Sequence, residues 1–123
     1  MRHKLFGFLF GEKGEKREID GVRYLICAEK TTAAVTRSPN ATGDIVILSE
    51  VEGKNVTKIE SNAFKGCKGL TSITIPESVI LVECGAFKDC KGLTSVTIPK
   101  NTSVVSGAFA GCASLMNISK NNE

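Results

Sequence analysis

The residues that could carry out chemistry are few and scattered along this chain of 123 residues. The single histidine is His3, and no serine–histidine–acid or cysteine–histidine set can be assembled around it. Carboxylates occur singly, and the pair most open to a shared role is Glu60 and Glu83, 23 residues apart. In the third repeat the equivalent position is expected near Ser106, so that repeat adds no carboxylate to the pair. We therefore predict that the chain is not an enzyme and holds no cofactor.

The five cysteines are the next candidates, either as metal ligands or as disulfide partners. Cys67, Cys90 and Cys112 recur 23 and 22 residues apart, whereas Cys27 and Cys84 lie off this period. No C-x-x-C pair is present, and an odd number argues against a complete disulfide framework. Cysteine is a small and readily buried apolar residue. The sequence therefore predicts buried free thiols spaced by the fold, and no metal site.

The same period runs through a longer motif, AF-x-x-C-x-x-L, which begins at Ala63, Ala86 and Ala108. A repeat of this length is typical of a solenoid, in which each unit buries its apolar face against its neighbours. The phenylalanine and cysteine columns are therefore predicted to be core.

Each repeat is predicted to contain two strands and a tight turn. Alternation in LTSITIP points Leu70, Ile73 and Ile75 inward and leaves Ser72 and Thr74 outward. The next repeats place Leu93, Val96 and Ile98, then Leu115, Ile118 and Lys120, in the same slots. The second strand is predicted from the pairs Val56 and Ile59, Val79 and Val82, and Val104 and Val105.

The domain organisation follows from these elements. Residues 1–18 are charged and glycine-containing, which is typical of a leader or linker, and 19–123 form one domain. Alternating apolar residues predict strands near Val22–Ile26, Thr32–Thr36 and Ile45, so 19–55 is expected to be a β-rich N-terminal cap. Residues 56–123 then supply about three repeats, with SNAFKGC as a short helical or 3-10 turn.

The segment IESNAFKGCKGLTSITIPESVILVECGAFKDCKGLTSVTIP resembles the BspA-type leucine-rich repeat family. The resemblance covers residues 19–119, since the upstream segment is similar to the N-terminal cap of that family. It implies a mostly β solenoid with parallel strands, a β-hairpin cap and a binding surface on the concave sheet. Members are often surface or secreted bacterial proteins, some of them adhesins.

Two surfaces are candidate binding sites. The first, the concave row, lies outward on the repeat strands and the residues after them: Ser72, Thr74, Glu77, Ser95, Thr97, Lys100, Asn117 and Ser119. The second is a basic strip beside the phenylalanine column, which consists of Lys65, Lys68, Lys88 and Lys91. The concave row lacks the Trp, Tyr and Arg typical of binding hot spots, which argues for a weak interface.

Composition excludes several classes of function. The net charge is +3, residues 1–18 carry +2 of it, and the chain contains no Trp. A nucleic-acid binder usually has a concentrated basic face with stacking aromatics, so nucleic acid is not expected as a partner. No run approaches the roughly 20 apolar residues of a membrane helix. The apolar stretch from Leu5 to Phe10 is too short for a signal peptide.

Two hypotheses about function remain open. The first is a non-catalytic protein-binding module, adhesin-like by resemblance. The second is a small intracellular inhibitor or adaptor, for example one encoded by a phage, which is favoured by the short chain, the free thiols and the lack of a signal. Localisation stays open between the two. A homodimer through the edge of the C-terminal repeat is a further expectation, because exposed strand edges pair readily.

Overall fold

The computed structural model describes residues 14–28 and 30–121. These residues form β-strands and turns without a helix, and therefore without any helix that could cross a membrane. The leader predicted for residues 1–18 lies mostly outside the described residues. Its last part, residues 14–18, belongs to the first strand.

An N-terminal hairpin opens the fold, and most of its first strand lies in the segment predicted to be a leader. Strand β1 (Gly14–Ile19) pairs antiparallel with β2 (Val22–Cys27), which pairs antiparallel with β3 (Thr32–Thr36). Asp20 and Gly21 link β1 to β2 with φ angles of 53° and 83°. Positive φ at both central residues suits an Asp-Gly hairpin, because this turn matches the right-handed twist of the strands.

The remaining strands alternate between two sheets. They are β4 (Gly43–Val46), β5 (Glu50–Val51), β6 (Lys54–Ile59), β7 (Leu70–Thr74), β8 (Leu81–Val82), β9 (Ser95–Pro99), β10 (Ser103–Val104) and β11 (Asn117–Asn121). The first sheet has the order β1-β2-β3-β6-β8-β10, with β5 joined to β6. The second has the order β4-β7-β9-β11. We call them the seven-stranded and the four-stranded sheet.

Each repeat is one coil that gives a strand to each sheet. The first coil holds β6 and β7, the second β8 and β9, and the third β10 and β11. The strands of successive coils pair in parallel, and β4 pairs with β7 in the same way. This arrangement is the predicted parallel solenoid.

Identical residues stack in the core between the sheets. Phe64 and Phe87 have ring centroids 5.0 Å apart with an interplanar angle of 8°, and Phe87 and Phe109 are 5.0 Å apart at 6°. The inward residues of β7 and β9, predicted from alternation, are all at most 3% exposed. Because every coil repeats the same apolar positions, each coil covers the core face of its neighbour.

Tight turns connect the two sheets where the sequence predicts helical or 3-10 turns. In the first coil, the N–H groups of Ala63, Lys65 and Cys67 donate to carbonyls three residues earlier, without forming a helix. Gly66 then takes a φ of 74°, a left-handed conformation that ends the segment. These short turns keep the two sheets close together.

The third coil is one residue shorter, and this changes which residues face inward. Val104 aligns with Val82, the place that the predicted second strand gives to Val105. Thr102 rather than Val104 takes the buried position equivalent to Val79, where its hydroxyl donates to Val79 O at 2.6 Å. Val105 is instead exposed beyond the end of the strand. A single missing residue shifts this strand because side chains alternate in direction along it.

Candidate functional site

Among the residues that the structure describes, the groups considered for catalysis do not come together in a site. His3 lies outside the described residues. Within residues 14–28 and 30–121, no group of three or more His, Cys, Asp or Glu residues could hold a metal ion. The three column cysteines instead make structural contacts. Cys67, Cys90 and Cys112 donate their thiols to the carbonyls of Ser38, Phe64 and Phe87.

Glu60 and Glu83 do occupy equivalent positions in successive coils, since their backbone N–H groups donate to Val35 O and Ile59 O. The Glu83 carboxylate is already engaged in contacts within the solenoid. It accepts a hydrogen bond from Ser61 N–H at 3.0 Å, and its other oxygen lies 3.8 Å from the Lys58 ammonium.

The equivalent place in the third coil is held by Val105, whose N–H donates to Val82 O. The expectation of Ser106 near this position was therefore off by one residue, again because the third coil is shorter.

The outward face of the four-stranded sheet brings six residues of the concave row together in two columns. Ser72, Ser95 and Asn117 are aligned in one column, and Thr74, Thr97 and Ser119 are aligned in the other. Neighbouring strands lie about 4.8 Å apart, so hydroxyl and amide groups follow each other at that spacing. Ser72, Ser95 and Thr97 are half-buried, and the other three are exposed.

Strand β4 extends both columns by one position that the sequence analysis missed. Asp44 pairs with Ser72, and Val46 pairs with Thr74. The Asp44 carboxylate accepts hydrogen bonds from the hydroxyls of Ser72 and Thr71, both at 2.8 Å, and these bonds lower the pKa of Asp44 below its ordinary value. Asp44 therefore places a fixed negative charge at the N-terminal end of the row.

Val46 adds an apolar group beside this charge. Its side chain is 68% exposed, although it lies in the same column as Thr74. The signal was present in the sequence, since DIVI at 44–47 has the alternation of SITI at 72–75. It was missed because β4 lacks the AF-x-x-C motif before it, and because the register shifts between Gly43 and Asp44.

The two charged members of the concave row lie off the strands. Glu77 and Lys100 are exposed residues in the turns that follow β7 and β9. They occupy equivalent places in successive coils, with opposite charge. The structure therefore puts them at the border of the face rather than within its columns.

The basic strip lies on the turns between the two sheets, along one side of the solenoid. Its four lysines, Lys65, Lys68, Lys88 and Lys91, are exposed. The strip ends after the second coil, because Ala110 and Ala113 follow 22 residues after Lys88 and Lys91.

A shallow groove of about 230 Å³ lies on the opposite, seven-stranded sheet. Ala33, Ala34 and Thr57 are among the residues that line it, together with Ile80 and Leu81. The groove crosses β3, β6 and β8. Its lining mixes small, apolar and charged residues without a convergent set of catalytic groups.

Coils that pair through parallel strands in two sheets, with tight turns and a stacked phenylalanine column between the sheets, define a leucine-rich-repeat solenoid. A family model described as "BspA type Leucine rich repeat region (6 copies)" matches residues 47–123. The chain belongs to this family, which confirms the resemblance seen in the repeats. The match begins at Ile47, within the segment 19–55 that the sequence analysis assigns to the N-terminal cap.

Solved structures of bacterial leucine-rich-repeat proteins share the fold. The leucine-rich-repeat protein of T. pallidum has a TM-score of 0.74 at 25% identity, over 85% of this chain and 49% of that one. A leucine-rich repeat protein from Bacteroides ovatus has a TM-score of 0.51 at 22% identity, over 84% of this chain and 40% of that one. The pneumococcal vaccine antigen PcpA has a TM-score of 0.53 at 17% identity, over 91% of this chain and 39% of that one.

The chain thus spans about half the length of the T. pallidum protein and a smaller share of the other two. No curated protein sequence matches it.

Proposed function

We propose that this protein is a non-catalytic protein-binding module, and that it recognises its partner with the outward face of the four-stranded sheet. The observation that carries the proposal is the alignment of polar side chains in two columns on this open face. Hydroxyl and amide groups both donate and accept hydrogen bonds. A regular array of them suits the polar groups of another protein's surface.

The face is chemically different at its two ends, which would favour one orientation of a bound partner. Asp44 and Val46 at the N-terminal end offer a charge and an exposed apolar side chain. Asn117 and Ser119 at the other end offer polar groups alone. Interfaces gain most of their energy from a few well-buried anchors, so Val46 is the strongest candidate for an anchor on this face. The scarcity of other anchors favours a weak or transient complex.

The adhesin-like role is the finer form of this proposal, and membership of the BspA-type family supports it. A small inhibitor or adaptor that acts inside a cell is the second candidate. It is favoured by the free cysteines, since Cys84 is an exposed thiol of the kind that persists in a reducing compartment. Fractionation of the source cells distinguishes the two, because a surface fraction supports the adhesin and a cytosolic one supports the inhibitor.

The proposed face is tested by site-specific photo-crosslinking in an extract of the natural host. A photoreactive residue at Thr97 lies within the row, and one at Ile80 is the matched control on the exposed face of the opposite sheet. We expect a discrete crosslinked protein from Thr97 and none from Ile80. Arginine at Ser72 and Ser95 should then weaken binding of that protein about 10-fold or more, because a bulky charge blocks the columns.

The basic strip is the alternative surface for recognition of the partner. Exchanging Lys65 and Lys88 for glutamate leaves the columns intact but reverses the charge of the strip. If this exchange abolishes binding while the arginine substitutions leave it unchanged, the recognition surface is the strip and the proposal for the sheet face is wrong.

A further inference from the structure

The two carboxylate oxygens of Asp44 are used unequally. Asp44 is the one charged side chain in the two columns of the face. Thr71 and Ser72 both donate their hydroxyls to its Oδ1, at 2.8 Å. Each carboxylate oxygen accepts about two hydrogen bonds, so Oδ1 is saturated. Within residues 14–28 and 30–121, Oδ2 has no hydrogen-bond or salt-bridge partner.

The two hydroxyl bonds also keep Asp44 ionised and in place. The bond from Ser72, followed by the bond from Thr71, lowers the pKa of Asp44 below its ordinary value. The carboxylate is therefore negative at neutral pH. Its orientation is fixed by the two bonds to Oδ1, which leave Oδ2 as the oxygen available to a donor on another molecule.

Apolar side chains lie next to this charge on the same side of the sheet. Val46 is 68% exposed and Leu48 is 37% exposed, whereas Ile45 and Ile47 between them are buried. Outward residues that are two positions apart lie about 7 Å from each other along a strand. The column of Val46 has hydroxyl side chains in the coils that follow. An isopropyl group that is mostly exposed adds little to the stability of the fold, so it suits contact with another molecule.

The N-terminal cap does not cover this part of the face. The strands that precede β4, namely β1, β2 and β3, all belong to the seven-stranded sheet. Tyr24 of the cap reaches β4 from the core, since it is 1% exposed and its hydroxyl accepts a hydrogen bond from Leu48 N–H. The outward side chains of Asp44 and Val46 stay exposed beside it.

We propose that this end of the face recognises a lysine of the protein partner, together with an apolar side chain about 7 Å from it. This recognition rests on the proposed function, since it assigns a chemistry to the partner that binds the face. The ammonium binds Oδ2 of Asp44, and the apolar side chain covers Val46 and Leu48. A single fixed charge on an otherwise uncharged pair of columns selects the opposite charge and sets the register of the partner. In an extended partner segment, one residue separates the lysine from the apolar residue.

The unequal use of the two oxygens favours lysine over arginine. A guanidinium binds a carboxylate best as a fork, with one N–H group on each oxygen. Oδ1 of Asp44 is already occupied by two hydroxyls, so this fork cannot form without breaking one of their bonds. An ammonium is a compact charge that needs a single oxygen.

A library of short random peptides displayed on phage is the probe for this recognition. After selection on the wild-type protein, the enriched peptides should contain a lysine and an apolar residue separated by one position. Arginine at Ser72 and Ser95 should abolish their binding, because it blocks the face. Selection on Glu77→Gln is the matched control, since it removes an exposed charge at the border of the face and should enrich the same peptides.

The strongest peptide is then synthesised with lysine, arginine or glutamine at the basic position. Asp44→Asn keeps an oxygen for the two hydroxyls but removes the charge. We expect this variant to bind the lysine peptide about 5-fold or more weakly and the glutamine peptide almost as well as the wild type does. The wild type should bind the arginine peptide about 3-fold more weakly than the lysine peptide.

Salt dependence gives a second measurement that needs no variant of the protein. Added sodium chloride should weaken the binding of the lysine peptide to the wild type more than that of the glutamine peptide, because salt screens the charge pair. Equal responses of the two peptides to salt would overturn the inference.

The remaining outcomes separate this inference from the proposed function. Enriched peptides that lack lysine but are blocked by arginine at Ser72 and Ser95 overturn the inference and leave the proposed face intact. An arginine peptide that binds as tightly as the lysine peptide overturns the assignment of lysine. Peptides that ignore the arginine substitutions, or a selection that enriches none, also overturn the inference. The photo-crosslinking experiment then decides the proposed face independently.

Discussion

The residues that recur most regularly in this chain serve packing rather than recognition. Cys90 and Cys112 both donate their thiols to the backbone carbonyl of a phenylalanine in the preceding coil, at 3.0 Å. Burial raises the pKa of the Cys90 thiol to about 12 from an ordinary value of 9.0. It also raises the pKa values of Cys67 and Cys112. These thiols remain neutral hydrogen-bond donors in the folded state.

The contrast between these buried thiols and the exposed Cys84 predicts the order in which the cysteines react. A thiol reagent attacks the thiolate, so near neutral pH the exposed Cys84 should be modified first. Cys90 should be modified only as fast as the protein opens. Mass spectrometry of the labelled peptides measures the rates of modification of Cys84 and Cys90. Rapid labelling of Cys90 in the folded protein would contradict its role in the core.

The same pKa shift sets a pH dependence of stability. The folded pKa of Cys90 lies above the unfolded one, so its contribution is complete below the unfolded value of about 9 and is lost as pH rises towards about 12. The free energy of unfolding should therefore fall over this range more steeply in the wild type than in Cys90→Ala, which lacks the group. Equal slopes would show that the thiol is not held in its neutral form.

At the scale of the element, the tight turns depend on positions that are close to neighbouring backbone. Gly69 and Gly92 are equivalent residues in the first and second coils, 23 residues apart. A Cβ on Gly92 would lie 2.5 Å from Lys68 O, whereas on Gly69 it would lie 3.2 Å from the Thr42 methyl group. A side-chain methyl can move, but the carbonyl belongs to the adjacent coil.

We therefore expect Gly92→Ala to lower the free energy of unfolding by roughly 1–3 kcal/mol, as overpacking in a core does. Gly69→Ala is the matched control. It should lower the free energy of unfolding clearly less, because the Thr42 side chain can move away from the added methyl group. Urea titrations of both variants measure the difference. Equal losses would mean that the two turns are packed alike.

At the scale of the whole molecule, the cap and the coils share one core. Buried apolar contacts run without interruption from Val22 in the hairpin to Ala108 in the third coil. Tyr24 in the cap also accepts a hydrogen bond from Leu48 N–H at 3.0 Å, which ties the seven-stranded sheet to the end of β4. A cap joined in this way should not unfold separately from the repeats.

The single tyrosine makes this testable, because the chain has one Tyr and no Trp. Tyrosine fluorescence reports on Tyr24 in the cap, and far-ultraviolet circular dichroism reports on all strands. During denaturant unfolding, the two signals should follow one coincident transition. An earlier fluorescence transition would show that the cap opens while the coils remain folded.

The sequence by itself determined the solenoid and the inward columns of its first two coils. A fixed period makes equivalent residues stack, and alternation along a strand decides which of them face the core. Six of the residues predicted for the concave row consequently lie on one outward face.

Only the tertiary structure decided the alignment of β4 and of the third coil. The register shift between Gly43 and Asp44 puts Asp44 and Val46 in the columns of the row, although no repeat motif marks them. The shorter third coil puts Val105 in the glutamate position. The physical reason is that a fixed period predicts which residues align between coils only where the period is kept. Where a bulge or a missing residue interrupts the period, the alignment depends on three-dimensional packing.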